Sequence, residues 1–115
     1  MFDHKRLGES LVMIPVGDVL DNSNAHEMTE AIDAVQAAGN KFVVLDMSGL
    51  CFISSAGVGS ILGAIGTSRE MGGDIVLCNV PEKISHILEV LDLSEYITIT
   101  PDLSAATDLC KIEVK

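Results

Sequence analysis

KFVVLDMSGLCFISSAGVGSILGAIG, residues 41–66, passes through three patterns in succession. Residues 41–46, KFVVLD, are a continuous β-rich apolar run of the kind a central, doubly covered strand needs. From Ser55 the period changes. Val58, Ile61, Leu62 and Ile65 fall at i, i+3, i+4 and i+7, the stripe of a helix that runs to about Met71. At the junction stand two serines, Ser54 and Ser55, followed by glycines at 57, 59, 63 and 66. A glycine inside a helix costs up to about 1 kcal/mol relative to alanine, so helix stability alone does not account for this segment.

At about 100° per residue the helix separates into two faces. Val58, Ile61, Leu62 and Ile65 cluster and face the core. Ala56, Gly59, Ser60, Gly63, Gly66 and Thr67 gather roughly 150° away by the same periodicity. The glycines form a flat strip without side chains, where another backbone can approach closely. The wheel leaves two readings open: the strip packs on a neighbouring helix of the same domain, or it faces outward as a docking surface. Ser54 or Ser55 stands where an N-cap belongs, accepting a bond from an amide one or two residues into the helix.

On either side the chain alternates strand and helix. Residues 11–16, LVMIPV, read as a strand, and Pro15 places it at an edge or a bulge because proline cannot donate to a ladder. Residues 3–9 can pair with it as a hairpin arm. Ala25, Met28, Ile32 and Val35 form the inner stripe of a helix, with His26, Glu27, Glu30, Asp33 and Gln36 on its other side. One of Asp21, Asn22, Ser23 or Asn24 caps its start, and Gly39-Asn40 stops it. Gly72-Gly73 end the central helix, and DIVLC (74–78) is a second buried strand. Pro81 belongs to the first turn of a helix whose inner face is Ile84, Ile87, Leu88 and Leu91. YITIT (96–100) is a short strand, and a last helix runs from about Asp102 to Cys110. This alternation implies crossover connections and a largely parallel sheet in one α/β domain over residues 1–115.

The formal net charge is −10, with only seven Lys and Arg residues. A phosphate-binding surface needs clustered cations, so nucleic acid is excluded as a partner, and an anionic membrane surface is disfavoured. A basic or mixed-charge protein partner would be steered toward such a chain. The three cysteines, Cys51, Cys78 and Cys110, form no C-x-x-C pair, which suits a reducing compartment, and each reads as a small buried hydrophobe. MFDHKRLGES has no apolar signal region and no run reaches about 18 apolar residues, so a cytoplasmic location is expected.

Catalytic patterns do not fit. In GVGSILG the third glycine of a dinucleotide fingerprint falls one residue late, at Gly63, and residues 47–54 separate strand from helix. No G-K-[ST] cradle for phosphate is present. A serine nucleophile wants G-x-S-x-G, yet Ile53 stands where its first glycine should be, and His4, His26 and His86 bear no relation to it. Paired His or Cys at metal-ligand spacing are absent. No catalysis, cofactor or metal is expected.

VVLDMSGLCFISSAGVGSIL resembles the signature of STAS domains, the sulfate-transporter and anti-sigma-factor-antagonist family. The family pattern is an apolar strand, Asp-x-Ser, an apolar pair around an aromatic, then Asp-Ser-Ser/Thr-Gly opening a helix. Asp46 and Ser48, Phe52 and Ile53, and Gly57 match it, and VLDNSNAHEM (19–28) resembles the family's Leu-Asp before the first helix. Two positions depart: Ser54 replaces the usual Asp, and Ala56 replaces the Ser or Thr after the phosphoacceptor.

The resemblance implies a mixed, mostly parallel β-sheet with α-helices packed mainly on one face. It also implies a stand-alone anti-sigma factor antagonist. In that family the unmodified antagonist binds an anti-sigma factor that is also a serine kinase and so frees a sigma factor. Phosphorylation by that kinase ends the interaction, and a PP2C-type phosphatase restores it. Carried onto this chain, Ser55 is the phosphoacceptor, with Ser54 as the alternative, and Asp21 is the acid near it. Asp21, Asn22, Ser54, Ser55, Val58, Gly59 and Gly63 form the partner surface. A second reading keeps the fold and makes the chain an unphosphorylated STAS subunit of a transporter ATPase or signalling complex. The missing acid at position 54 favours it.

Overall fold

Strand and helix alternate along the chain in the computed structural model, which describes residues 2–114. In order they are β1 (Lys5–Gly8), β2 (Leu11–Pro15), β3 (Val19–Leu20), α1 (Ala25–Ala37), β4 (Phe42–Asp46), β5 (Phe52–Ile53), α2 (Ser55–Glu70), β6 (Asp74–Cys78), α3 (Glu82–Val90), β7 (Thr98–Thr100) and α4 (Leu103–Val114). Five strands form one sheet in the order β1-β2-β4-β6-β7. β1 is antiparallel to β2, and all other pairs are parallel, with Val12 opposite Val43, Val43 opposite Ile75 and Val76 opposite Thr98.

The unbroken apolar run of β4 follows from its central place, because successive side chains point to opposite faces and both faces are covered. Val43 and Leu45 join Ile75 and Leu77 beneath Met28 and Ile32 of α1, Ile61 and Ile65 of α2, and Ile84 and Leu88 of α3. Phe42 and Val44 face the other way, with Val76 and Cys78, against Ala106 and Cys110 of α4. Three helices on one face and one on the other agree with the architecture expected from the sequence.

Several local expectations are corrected. β2 is an interior strand, not an edge, yet Pro15 is tolerated because β1 reaches only as far as Lys5 opposite Met13. Beyond that point the side of β2 away from β4 pairs with no strand among the described residues, and the Val16 N–H donates to the Asp46 carbonyl at 3.0 Å. Gln36 does not lie on the solvent side of α1. It is buried, and its Nε2 donates to Ser68 Oγ at 2.6 Å, tying α1 to α2. Pro81 is the N-cap of α3 and not part of its first turn. Leu91 is the residue that closes α3 and is 51% exposed, since the backbone turns away at Asp92 (φ 59°) and Leu93 packs on the core instead. Cys51 is exposed, whereas Cys78 and Cys110 are buried. β3 and β5, a second sheet of two short parallel strands, have no counterpart in the sequence reading.

Candidate functional site at the head of α2

The small second sheet builds the site. Val19 pairs with Phe52 and Leu20 with Ile53. The Asp18 carbonyl accepts the N–H groups of Cys51 (2.8 Å) and Phe52 (3.2 Å), and the Leu20 carbonyl accepts that of Ser54 (3.0 Å). The turn before α1 is thereby fastened to the start of α2. Gly57 is required here by close approach: a Cβ added to it would overlap the Leu20 carbonyl oxygen and stand 2.9 Å from Ile53 Cγ1. This glycine serves the fold and is buried, unlike the strip beyond it.

The two serines have separate roles. Ser54 has extended backbone angles, φ −96° and ψ 173°, and its Oγ accepts the Gly57 N–H at 3.2 Å while its carbonyl accepts the Val58 N–H at 2.9 Å. It is the N-cap. Ser55 is the first helical residue, is exposed, and its hydroxyl makes no hydrogen bond to any described residue.

Along α2 the wheel's open question is answered in favour of solvent. Ala56, Gly59, Gly63 and Thr67 are exposed, and a Cβ at Gly59 or Gly63 would meet nothing within 4 Å. The strip ends at Gly66, where a Cβ would lie 3.8 Å from the Tyr96 hydroxyl. Arg69 holds Tyr96 there, with its guanidinium 4.7 Å from the ring centroid and its Nη2 donating to the Tyr96 carbonyl at 2.7 Å. Val58, assigned to the partner surface by resemblance, is 9% exposed and belongs to the core. A side chain so placed shapes the helix seat and offers a partner little area.

Asp21 and Asn22 lie in the turn before α1, Asp21 half-buried and Asn22 exposed. Asp21 Oδ1 accepts both the N–H (2.9 Å) and the hydroxyl of Ser23, and these bonds hold its carboxyl below the ordinary carboxylate range. Asp46, in the Asp-x-Ser element, accepts the Ser48 N–H at 3.1 Å, closing the turn after β4, and accepts Asn79 Nδ2 at 3.2 Å, tying the ends of the parallel strands β4 and β6 together. Sequence reasoning did not place Phe52 on the surface. It is 54% exposed on β5, immediately before the serines, and no local signal marks it, because a two-residue strand carries no period.

The arrangement is a capped helix start with one unbonded hydroxyl among the described residues, a carboxylate held in the adjoining turn, and a low surface running away from both. Among the described residues it holds no nucleophile–base pair. The sequence profile of the STAS domain matches residues 5–106. The chain belongs to the STAS family. BtrV of Bordetella bronchiseptica, designated an anti-sigma factor antagonist, is 32% identical to this STAS domain over 83 residues, covering 72% of this chain and 69% of BtrV. A Thermotoga maritima protein with the same designation superposes with a TM-score of 0.87 at 22% identity, covering 96% of this chain and 94% of its own. SpoIIAA, an anti-sigma factor antagonist, superposes with TM-scores of 0.78 in its unphosphorylated form and 0.74 in its phosphorylated form. The respective identities are 18% and 17%, and 95% of this STAS domain is covered in both cases, against 96% and 99% of SpoIIAA. At such identities the superpositions establish the fold. Among the described residues no helix is long and apolar enough to cross a membrane.

Proposed function

We propose that this STAS domain is an anti-sigma factor antagonist, a binding module without catalysis of its own, switched by phosphorylation of Ser55. Unmodified, it binds an anti-sigma factor of the serine-kinase type and releases a sigma factor. Phosphorylation by that kinase ends the complex, and a PP2C-type phosphatase renews it. The designation of BtrV supports the general role. The observation that carries the switch is the division of labour at the head of α2. Ser54 Oγ is engaged as the cap, and Ser55 Oγ is exposed and unbonded among the described residues.

A phosphate adds about −1.5 to −2 charge at pH 7. At the first turn of a helix that charge is locally favourable, because free amides and the helix dipole attract anions. Modification therefore leaves the fold intact and acts on the partner, by bulk beside the open strip and by charge beside Asp21. The surface offered to the anti-sigma factor is Asp21, Asn22, Ser55, Gly59 and Gly63, with Ser54 and Val58 supporting it from within.

Intact-mass spectrometry after incubation with the organism's own anti-sigma kinase and ATP tests this reading. One added phosphate is expected on the wild type and on Ser54→Ala, and none on Ser55→Ala. Labelling of Ser55→Ala at Ser54 would reassign the switch. Absence of phosphate on the wild type, with recovery of a transport ATPase in a pull-down, would replace it by the scaffold reading that the missing acid at position 54 favours.

A further inference from the structure

Asn24 occupies the N-cap position of α1, yet its side chain caps nothing. An asparagine there ordinarily accepts an amide from the first turn of its own helix. Here it is turned back: Oδ1 accepts the Asp21 N–H at 3.0 Å, and Nδ2 donates to the Val19 carbonyl at 2.8 Å. Its backbone completes the ring, since the N–H groups of Asn24 (3.2 Å) and Ala25 (2.8 Å) both donate to the Asp21 carbonyl. Residues 19–24 are thus closed on themselves by one side chain. The same segment is bolted to α2 through the Leu20 carbonyl, which accepts the Ser54 N–H and lies against Gly57. Within the ring, Asp21 Oδ1 is taken by Ser23, and Oδ2 has no hydrogen bond to any described residue.

We infer that Asn24 is a positioning residue, whose amide locks the turn carrying Asp21 and so fixes where that carboxylate stands beside the head of α2. This rests on the proposed role of Asp21 in the partner surface. Asn24 forgoes its ordinary capping bond to α1 and spends both polar atoms on the residues either side of Leu20. The side chain acts on a partner only through Asp21.

The test uses the whole chain in two arms. Asn24→Ser is the informative variant: serine caps a helix as well as asparagine does, so α1 keeps its start, but its short hydroxyl cannot reach Val19 and Asp21 together. Asn24→Ala accompanies it. In the first arm, carboxyl titration by nuclear magnetic resonance follows Asp21 in the free protein. The two Ser23 bonds hold that carboxyl down and depend on the turn staying closed, so its midpoint is expected to rise in both variants while circular dichroism stays native. An unchanged midpoint in Asn24→Ser overturns the inference. In the second arm, affinity is measured for the purified anti-sigma kinase of the same organism. Asn24→Ser and Asp21→Ala should each weaken binding severalfold, and the double variant should bind no more weakly than Asp21→Ala alone, because residues that act through one another are not additive. Additive losses overturn the positioning role. Failure of the wild type to bind that kinase overturns the proposed function instead, and the titration still decides the hold of Asn24 on Asp21.

Discussion

Ser54 and Ser55 differ by one position and by everything that matters energetically. Removing an N-cap hydroxyl costs about 0.5–2 kcal/mol, while an exposed, unbonded hydroxyl contributes within about 0.5 kcal/mol. Ser54→Ala is therefore expected to lower the urea midpoint clearly and Ser55→Ala to leave it near the wild type. Equal losses would contradict the assigned cap. The glycines divide in the same way. Gly57→Ala forces a methyl against the Leu20 carbonyl, a backbone atom that cannot swing aside, and should destabilise by about 1–3 kcal/mol. Gly63→Ala meets open space and should stabilise by about 0.4–1 kcal/mol through the unfolded chain and helix propensity. Denaturation curves of the two variants moving in the same direction would refute that distinction. Residue types announced the Ser-Ser pair and the glycine strip. They did not announce that one glycine of four serves the fold, because a close approach by Leu20, 37 positions earlier in the chain, is invisible to a helical wheel.

At the scale of elements, the boundaries of β4, α2 and β6 were legible because long apolar runs and clean helical stripes report burial directly. The failures have specific causes. Residue type assigns Gln36 to solvent although it stands four positions after Ile32 on the inner stripe, and Ser68 of another helix accepts its amide there. β3 and β5 escaped because two-residue strands carry no period. The Gln36–Ser68 bridge makes a prediction. Gln36→Ala leaves a buried hydroxyl short of its donor and should cost about 1–3 kcal/mol. Adding Ser68→Ala should recover part of that loss, as coupled partners do. A double variant showing the simple sum by equilibrium unfolding would mean that the bridge holds nothing.

Across the whole molecule, the mixed sheet separates two apolar layers, and Cys78 sits wholly buried in the layer beneath α4. Burial, with the charges of Asp46 and then Asp102, pushes its thiol from 9.0 up to about 11. A folded value above the unfolded one means that the unfolded chain releases its proton first. Stability should accordingly decline as pH rises from 9.0 toward about 11. Cys78→Val should flatten that decline, and an unaltered alkaline slope would rule out the thiol as its source. At neutral pH a thiol reagent should modify Cys51 in the native protein and reach Cys78 and Cys110 only after unfolding. By itself the sequence determined the α/β class, the order of elements, the central strand and the motif that marks the family, since all of these are written in local period and spacing. Only the tertiary structure decided which serine caps and which is free, which glycines face solvent, that Val58 is core, and that Asn24 reaches back to Asp21. Those are properties of distance between segments remote in the chain, and distance is set by packing.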